Sequence, residues 1–275
     1  MTGSGRLLAS LDLASLDLAS LDLASLDLGG VIGWGQAMLI AAVALAGSII
    51  TAIAGVGGAI VLSFVLTPIL GPAALVQTIS VAMLINNVTK INVFGKGIDW
   101  AQCLFVVTCA TPGCVLGSLI YSRLSERTIT VVLGLFLIAI VLFKWLLPGN
   151  IGRWPKPVIG VASFVYGTLT GTTIGGGILL LPILMSTGLT GIALIGTDAA
   201  CGLAMHIVKT IVFGSNGVLT LQFAVIGVLI GIVMIPGAYI ARAILRYMPL
   251  KVHERIIDAV IIVGGLAFLA RAVVA

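Results

Sequence analysis

The chain has 275 residues, 60% of them hydrophobic and only 8% charged, with a mean hydropathy of +1.28. A soluble domain carries roughly 25% charged residues, so this surface is not made to face water; the net charge of +5 suits loops on the cytoplasmic side or a path for an anion, and no nucleic-acid partner is expected. A transmembrane barrel is excluded too, because its strands alternate polar and apolar residues over about ten positions, and the apolar runs here do not alternate.

Residues 9–28 read ASLDL four times in succession. Five residues advance about 140° around a helix, so the four aspartates would point in scattered directions and leave no apolar face. The tract also lacks the uninterrupted apolar core of a signal peptide. Residues 1–30 are read as a low-complexity extension outside the fold.

From Leu28 to Thr89 there are 62 positions without a charge, and one crossing takes about 20 residues. The first membrane repeat is expected over 31–147. It begins with a helix at 32–53, followed by the glycine motif GVGGAIVLSFVLTP and a short helix to 69. Helices at 73–94, 101–122 and 127–147 complete it. A linker at 148–156, rich in proline, glycine and charge, joins it to a second repeat over 157–275. There the expected helices are 157–172, a glycine motif TIGGGILLLPILMS with a helix to 187, then 190–213, 220–246 and 253–274. The fold class is an all-α polytopic membrane protein with about eight transmembrane segments in two four-helix halves.

The halves are repeats by three landmarks in the same order. The glycine motifs superpose at an offset of 118; TKINVFGKG (89–97) lies on VKTIVFGSN (208–216) at 119, pairing Lys90 with Lys209; and the Pro-Gly of 112–113 lies on that of 236–237. The glycine pieces are expected to be broken or half helices near the midplane, since paired interrupted segments in equivalent halves point to a transporter's binding site. The basic loops leave parallel and inverted orientations of the halves both open.

Glycine permits backbone angles closed to other residues. A helix that restarts at Gly57 and Gly58, or at Gly175, Gly176 and Gly177, presents free N–H groups to an anion, with Thr172 and Thr173 beside the second break. The bland reading is that these glycines let helices touch. The helix after each motif carries the other polar candidates: Thr78, Asn86, Asn87 and Lys90 in the first half, and Thr197, Asp198, His206 and Lys209 in the second. Ionisable groups in a membrane are functional candidates by default. The lysines would offset an anion's charge, while Asp198 and His206 are candidates for moving a coupling proton. Against this, lysines near helix ends also snorkel to the interface, and a lone histidine is as often a packing residue.

Four cysteines, Cys103, Cys109, Cys114 and Cys201, lack the spacing of a metal site and read as packing residues. No metal and no cofactor is expected. No Walker motif is present.

With the segments AGVGGAIVLSFVL and TGTTIGGGILLLPIL, the polar helix after each, and the duplicated length, the chain from about Ile32 to Ala275 resembles the TauE/SafE family of sulfite exporter-like permeases. The resemblance implies an integral protein of the bacterial cytoplasmic (inner) membrane. It further implies a secondary transporter for a small sulfur-containing anion such as sulfite, sulfoacetate or another organosulfonate, with the proton as a candidate coupling ion. An anion channel is the alternative; a thiosulfate-type uptake protein is weaker, because the cysteines lie outside the glycine motifs, and so is a membrane-embedded enzyme, because two histidines give poor material for a metal or nucleophile site. Substrate, direction and oligomeric state, monomer or homodimer, are left open.

Overall fold

The computed structural model describes residues 33–54, 57–125, 128, 152–174, 176–245 and 247. The extension at 1–30 and the helices expected at 127–147 and 253–274 lie outside the described residues. All regular structure among the described residues is helical. We number the α-helices α1 (Trp34–Ala54), α2 (Gly58–Phe94), α3 (Trp100–Tyr121), α4 (Lys156–Thr172), α5 (Gly177–Met185), α6 (Gly191–Ser215) and α7 (Leu221–Leu245); a short 3-10 turn, Gly95–Gly97, joins α2 to α3.

The helix ends follow local chemistry. Gly71 has φ 79° and ψ 163° inside α2, a positive φ that favours glycine, and Pro72 next to it has no N–H to continue the ladder. Gly58–Gly71 is thereby set off as a short apolar helix from the longer Ala73–Gly97 segment. Asp99 caps α3 by accepting from the Gln102 backbone N–H at 3.0 Å, satisfying one of the free donors of a helix start. Positive φ at Gly188 and Gly191 turns the chain between α5 and α6.

Among the described residues, five segments are long and apolar enough to cross a bilayer: Trp34–Ile53, Ala73–Gly97, Trp100–Tyr121, Gly191–Ser215 and Leu221–Leu245. The Ala73–Gly97 segment is buried over 78% of its most apolar stretch, against 39–44% in the other four, so it stands at the centre and the others present faces to lipid. Helix α5, with nine residues, extends only about 14 Å at 1.5 Å per residue and cannot span the roughly 30 Å hydrocarbon core.

The packing is crossed. Helix α1 packs on α7, and α4 packs on α3; α2 also packs on α7, and α6 on α3; α2 and α6 meet each other. Small residues make these approaches close. A Cβ added at Gly167 of α4 would run into the Ala110 carbonyl of α3, and one at Gly113 or Gly117 of α3 would run into the α4 backbone at Phe164 or Thr168. On the other side, a Cβ at Gly237 of α7 would lie 2.6 Å from Ser48 Cβ of α1, and one at Gly227 would lie 2.6 Å from the Thr78 carbonyl of α2. In lipid, where apolar surface gains little by leaving the solvent, such backbone proximity is what holds helices together. Polar pins add to it: the Ser48 hydroxyl sits between the Met234 carbonyl (2.6 Å) and Asn86 Oδ1 (3.0 Å), and the Tyr121 hydroxyl donates to the Ala73 carbonyl at 2.9 Å.

Candidate functional site

Both helix breaks expected from the glycine motifs are present. Helix α1 ends at Ala54 and α2 starts at Gly58; α4 ends at Thr172 and α5 starts at Gly177. Gly57 has φ 103°, a conformation that a side chain would strain. The first break is closed by a threonine of the preceding helix. The Thr51 hydroxyl accepts from the Gly58 N–H at 2.9 Å while donating to the Gly47 carbonyl at 2.8 Å. At the second break Thr170 is the counterpart, and a Cβ on Gly176 would collide with its hydroxyl.

Between the breaks lies a cavity of about 70 Å³, small beside the roughly 300–1,000 Å³ of drug-sized sites. The central pair of helices lines it with one face each. From α2 come Ile79, Ser80, Met83, Asn87 and Lys90, and from α6 Asp198, Gly202, His206 and Lys209. Apart from the adjacent Ile79 and Ser80, the steps of three and four residues between these positions keep each set on one helical stripe. The ends of the broken helices supply Thr51, Gly57, Thr170, Thr173, Gly176 and Gly177, and Tyr166 of α4 closes one wall. Gly202 lets Asn87 lie against α6, since a Cβ there would be 3.1 Å from the Asn87 amide nitrogen.

The charges are buried and unequally partnered. Lys90 Nζ is 2.9 Å from Asp198 Oδ2, with both side chains almost fully buried. Lys209, 1% exposed, meets no carboxylate among the described residues. Its ammonium donates to the carbonyls of Thr170 at 2.8 Å and Thr173 at 2.9 Å, at the end of α4, and lies 5.4 Å from the Phe213 ring centre. Free carbonyls at a helix C-terminus carry partial negative charge, so they hold a cation in place without neutralising it. His206 Nδ1 is buried with no hydrogen-bond partner among the described residues. Neither lysine reaches an interface from here; both heads are held inside.

Of the residues singled out from sequence, the cavity gathers Gly57, Asn87, Lys90, Thr173, Gly176, Gly177, Asp198, His206 and Lys209. Gly175 lies outside the described residues. Five others are not among its lining residues. The Gly58 N–H is taken by Thr51; Asn86 faces Ser48; Thr172 donates to the Thr168 carbonyl; Thr197 accepts from the Asp99 N–H at 3.0 Å, tying the start of α3 to α6; and Thr78 is fully buried, its hydroxyl without a partner among the described residues. Thr51, Thr170 and Tyr166 were not anticipated. The two threonines had a usable signal, since they precede Gly58 and Gly176 by seven and six residues in equivalent stretches. The four cysteines line no part of this cavity; Cys103 and Cys201 sit with their sulfurs 3.6 Å apart where α3 meets α6.

Broken helices, apolar spans and a buried cationic cavity between them define an integral membrane protein of the transporter class. The family model for "Sulfite exporter TauE/SafE" matches residues 39–268, which is most of the chain. The protein belongs to the sulfite exporter TauE/SafE family. It is therefore a membrane transporter of sulfite or a related anion, not an enzyme. No curated protein and no solved structure matches the chain.

Proposed function

We propose that the protein is a secondary transporter of a small sulfur-containing anion, and that the cavity between α2 and α6 is where the anion is held. The observation that carries this reading is Lys209: a buried ammonium at a helix break, facing a small cavity, held by two backbone carbonyls and the Phe213 ring with no carboxylate partner among the described residues. An uncompensated buried charge is costly, and a bound anion offsets that cost. Asn87 and His206 offer neutral polar atoms beside it, and the glycine segments at 57 and 176–177 bring backbone within reach of an ion. The proton is the coupling ion in this proposal, with Asp198 and His206 as the groups to carry it.

We further propose that residues 31–147 and 157–275 are two repeats folded across one another into eight spans. The crossed packing supports this: α1 and α4 occupy equivalent places, and each packs on the third long helix of the other half. The details agree as well. Gly113 approaches α4 at Thr168, and Gly237 approaches α1 at Ser48 and Ile49, the latter being the repeat partner of Thr168 at an offset of 119.

The test is flux into proteoliposomes containing the purified protein. Saturable movement of sulfite or a small sulfonate, accelerated by an imposed pH gradient, is the expected result. Non-saturable, gradient-indifferent flux would identify a channel instead, and no flux of any sulfur anion would remove the proposal.

A further inference from the structure

The cavity's charge count names the substrate class more narrowly, and rests on the functional reading above. Among the described residues that line it, the charged side chains are Lys90, Lys209 and Asp198. Lys90 and Asp198 cancel at 2.9 Å; Lys209 is left over, held by two carbonyls. Before any coupling proton is taken up, with Asp198 ionised and the imidazole of His206 and the phenol of Tyr166 neutral, the site that receives the anion carries one net positive charge. A monoanion brings it to zero. A dianion leaves one negative charge uncompensated in a setting where water cannot screen it.

We infer that Asp198 sets the valence of the cargo: by neutralising Lys90 it reserves the cavity for singly charged sulfur oxyanions, bisulfite and sulfonates without a second acid group, over dianions such as sulfate. Removing the carboxylate alone raises the net charge to two and suits a dianion. Removing Lys90 and Asp198 together restores a net charge of one, although both contacts are gone. The double change therefore separates charge count from any direct contact between Asp198 and the anion.

Methanesulfonate and sulfate are suitable probes, being nearly the same shape, different by one charge, and fully ionised at neutral pH. Binding to detergent-purified protein is measured for wild type, Asp198→Asn and the double variant Lys90→Gln/Asp198→Asn. The wild type is expected to prefer methanesulfonate by at least about tenfold, because an unpaired unit charge a few ångströms away in a partly buried site outweighs the interaction that a tenfold ratio represents. Asp198→Asn is expected to move the ratio toward sulfate by at least about tenfold, and the double variant to return it to within about threefold of wild type. Equal wild-type affinity for the two anions, an unchanged ratio in Asp198→Asn, or a double variant that behaves like Asp198→Asn would each overturn the inference. Should Asp198→Asn fail to fold, the wild-type ratio and the double variant decide the matter on the same criteria. If the wild type binds no sulfur anion at all, the functional reading itself falls; binding with the charge preference reversed defeats only the valence rule.

Discussion

Lys209 makes two kinds of contact at once, and they predict separable effects. Its ammonium satisfies the carbonyls of Thr170 and Thr173, and its charge faces the cavity. Lys209→Met keeps the apolar stem but leaves both carbonyls without this donor, at about 1–3 kcal/mol for a buried unpaired group. We expect a lower melting temperature in detergent and at least a tenfold loss of sulfonate affinity, on the order of 1.4 kcal/mol or more. A variant that melts lower but binds as before would confine Lys209 to structure. The sequence disclosed the lysine and its repeat partner, Lys90, but not this division of labour. Backbone carbonyls have no letter of their own, and the partner of Lys90 lies 108 residues away. Its equivalent in the first half is Ile79, at an offset of 119, so symmetry gave no hint of Asp198 as that partner.

At the scale of elements, helix contacts depend on which glycines face a neighbour. Gly160 and Gly167 are both on α4, seven residues apart, but their surroundings differ. A Cβ at Gly160 would find Cys109 Sγ at 3.7 Å, an ordinary contact, whereas one at Gly167 would strike the Ala110 carbonyl of α3. Gly160→Ala is therefore expected to leave thermal stability unchanged or slightly raised, as for glycine in a helix interior. Gly167→Ala is expected to destabilise by about 1–3 kcal/mol through overpacking. Unfolding followed by tryptophan fluorescence compares the two, and equal effects would mean that α3 and α4 are not in backbone contact. Element ends were largely legible: uncharged runs marked the spans, and Gly-Pro and glycine clusters marked the breaks at Gly57, Gly71 and Gly176. Which helix packs on which was not, because glycine, alanine and serine are spread through all the long helices. The crossed pairing emerges only when those faces are brought together.

Across the whole molecule, Lys90 and Asp198 are the buried charge contact between α2 and α6. Taking away one member leaves the other charged and alone, at about 3–5 kcal/mol; removing both replaces a desolvated pair with neutral groups at little net cost. Lys90→Gln and Asp198→Asn should each lower the melting temperature, while the double variant should recover most of the loss. That non-additivity is measurable as a double-mutant cycle in thermal unfolding. Additive losses would show that the two side chains do not interact across the molecule.

The same pair bears on how such a chain came to exist. On the two-repeat proposal, a single half would have assembled with a second copy of itself. In that pair of identical chains, the position now filled by Ile79 on one side and Asp198 on the other had to be the same residue twice. Two aspartates would have matched both lysines and left no net positive charge for an anion; two isoleucines would have left both lysines bare. Fusion into one polypeptide removed this constraint, because each position could then drift separately. A cargo site with a single unmatched charge is thus a property that two identical halves could not hold and two unequal ones can.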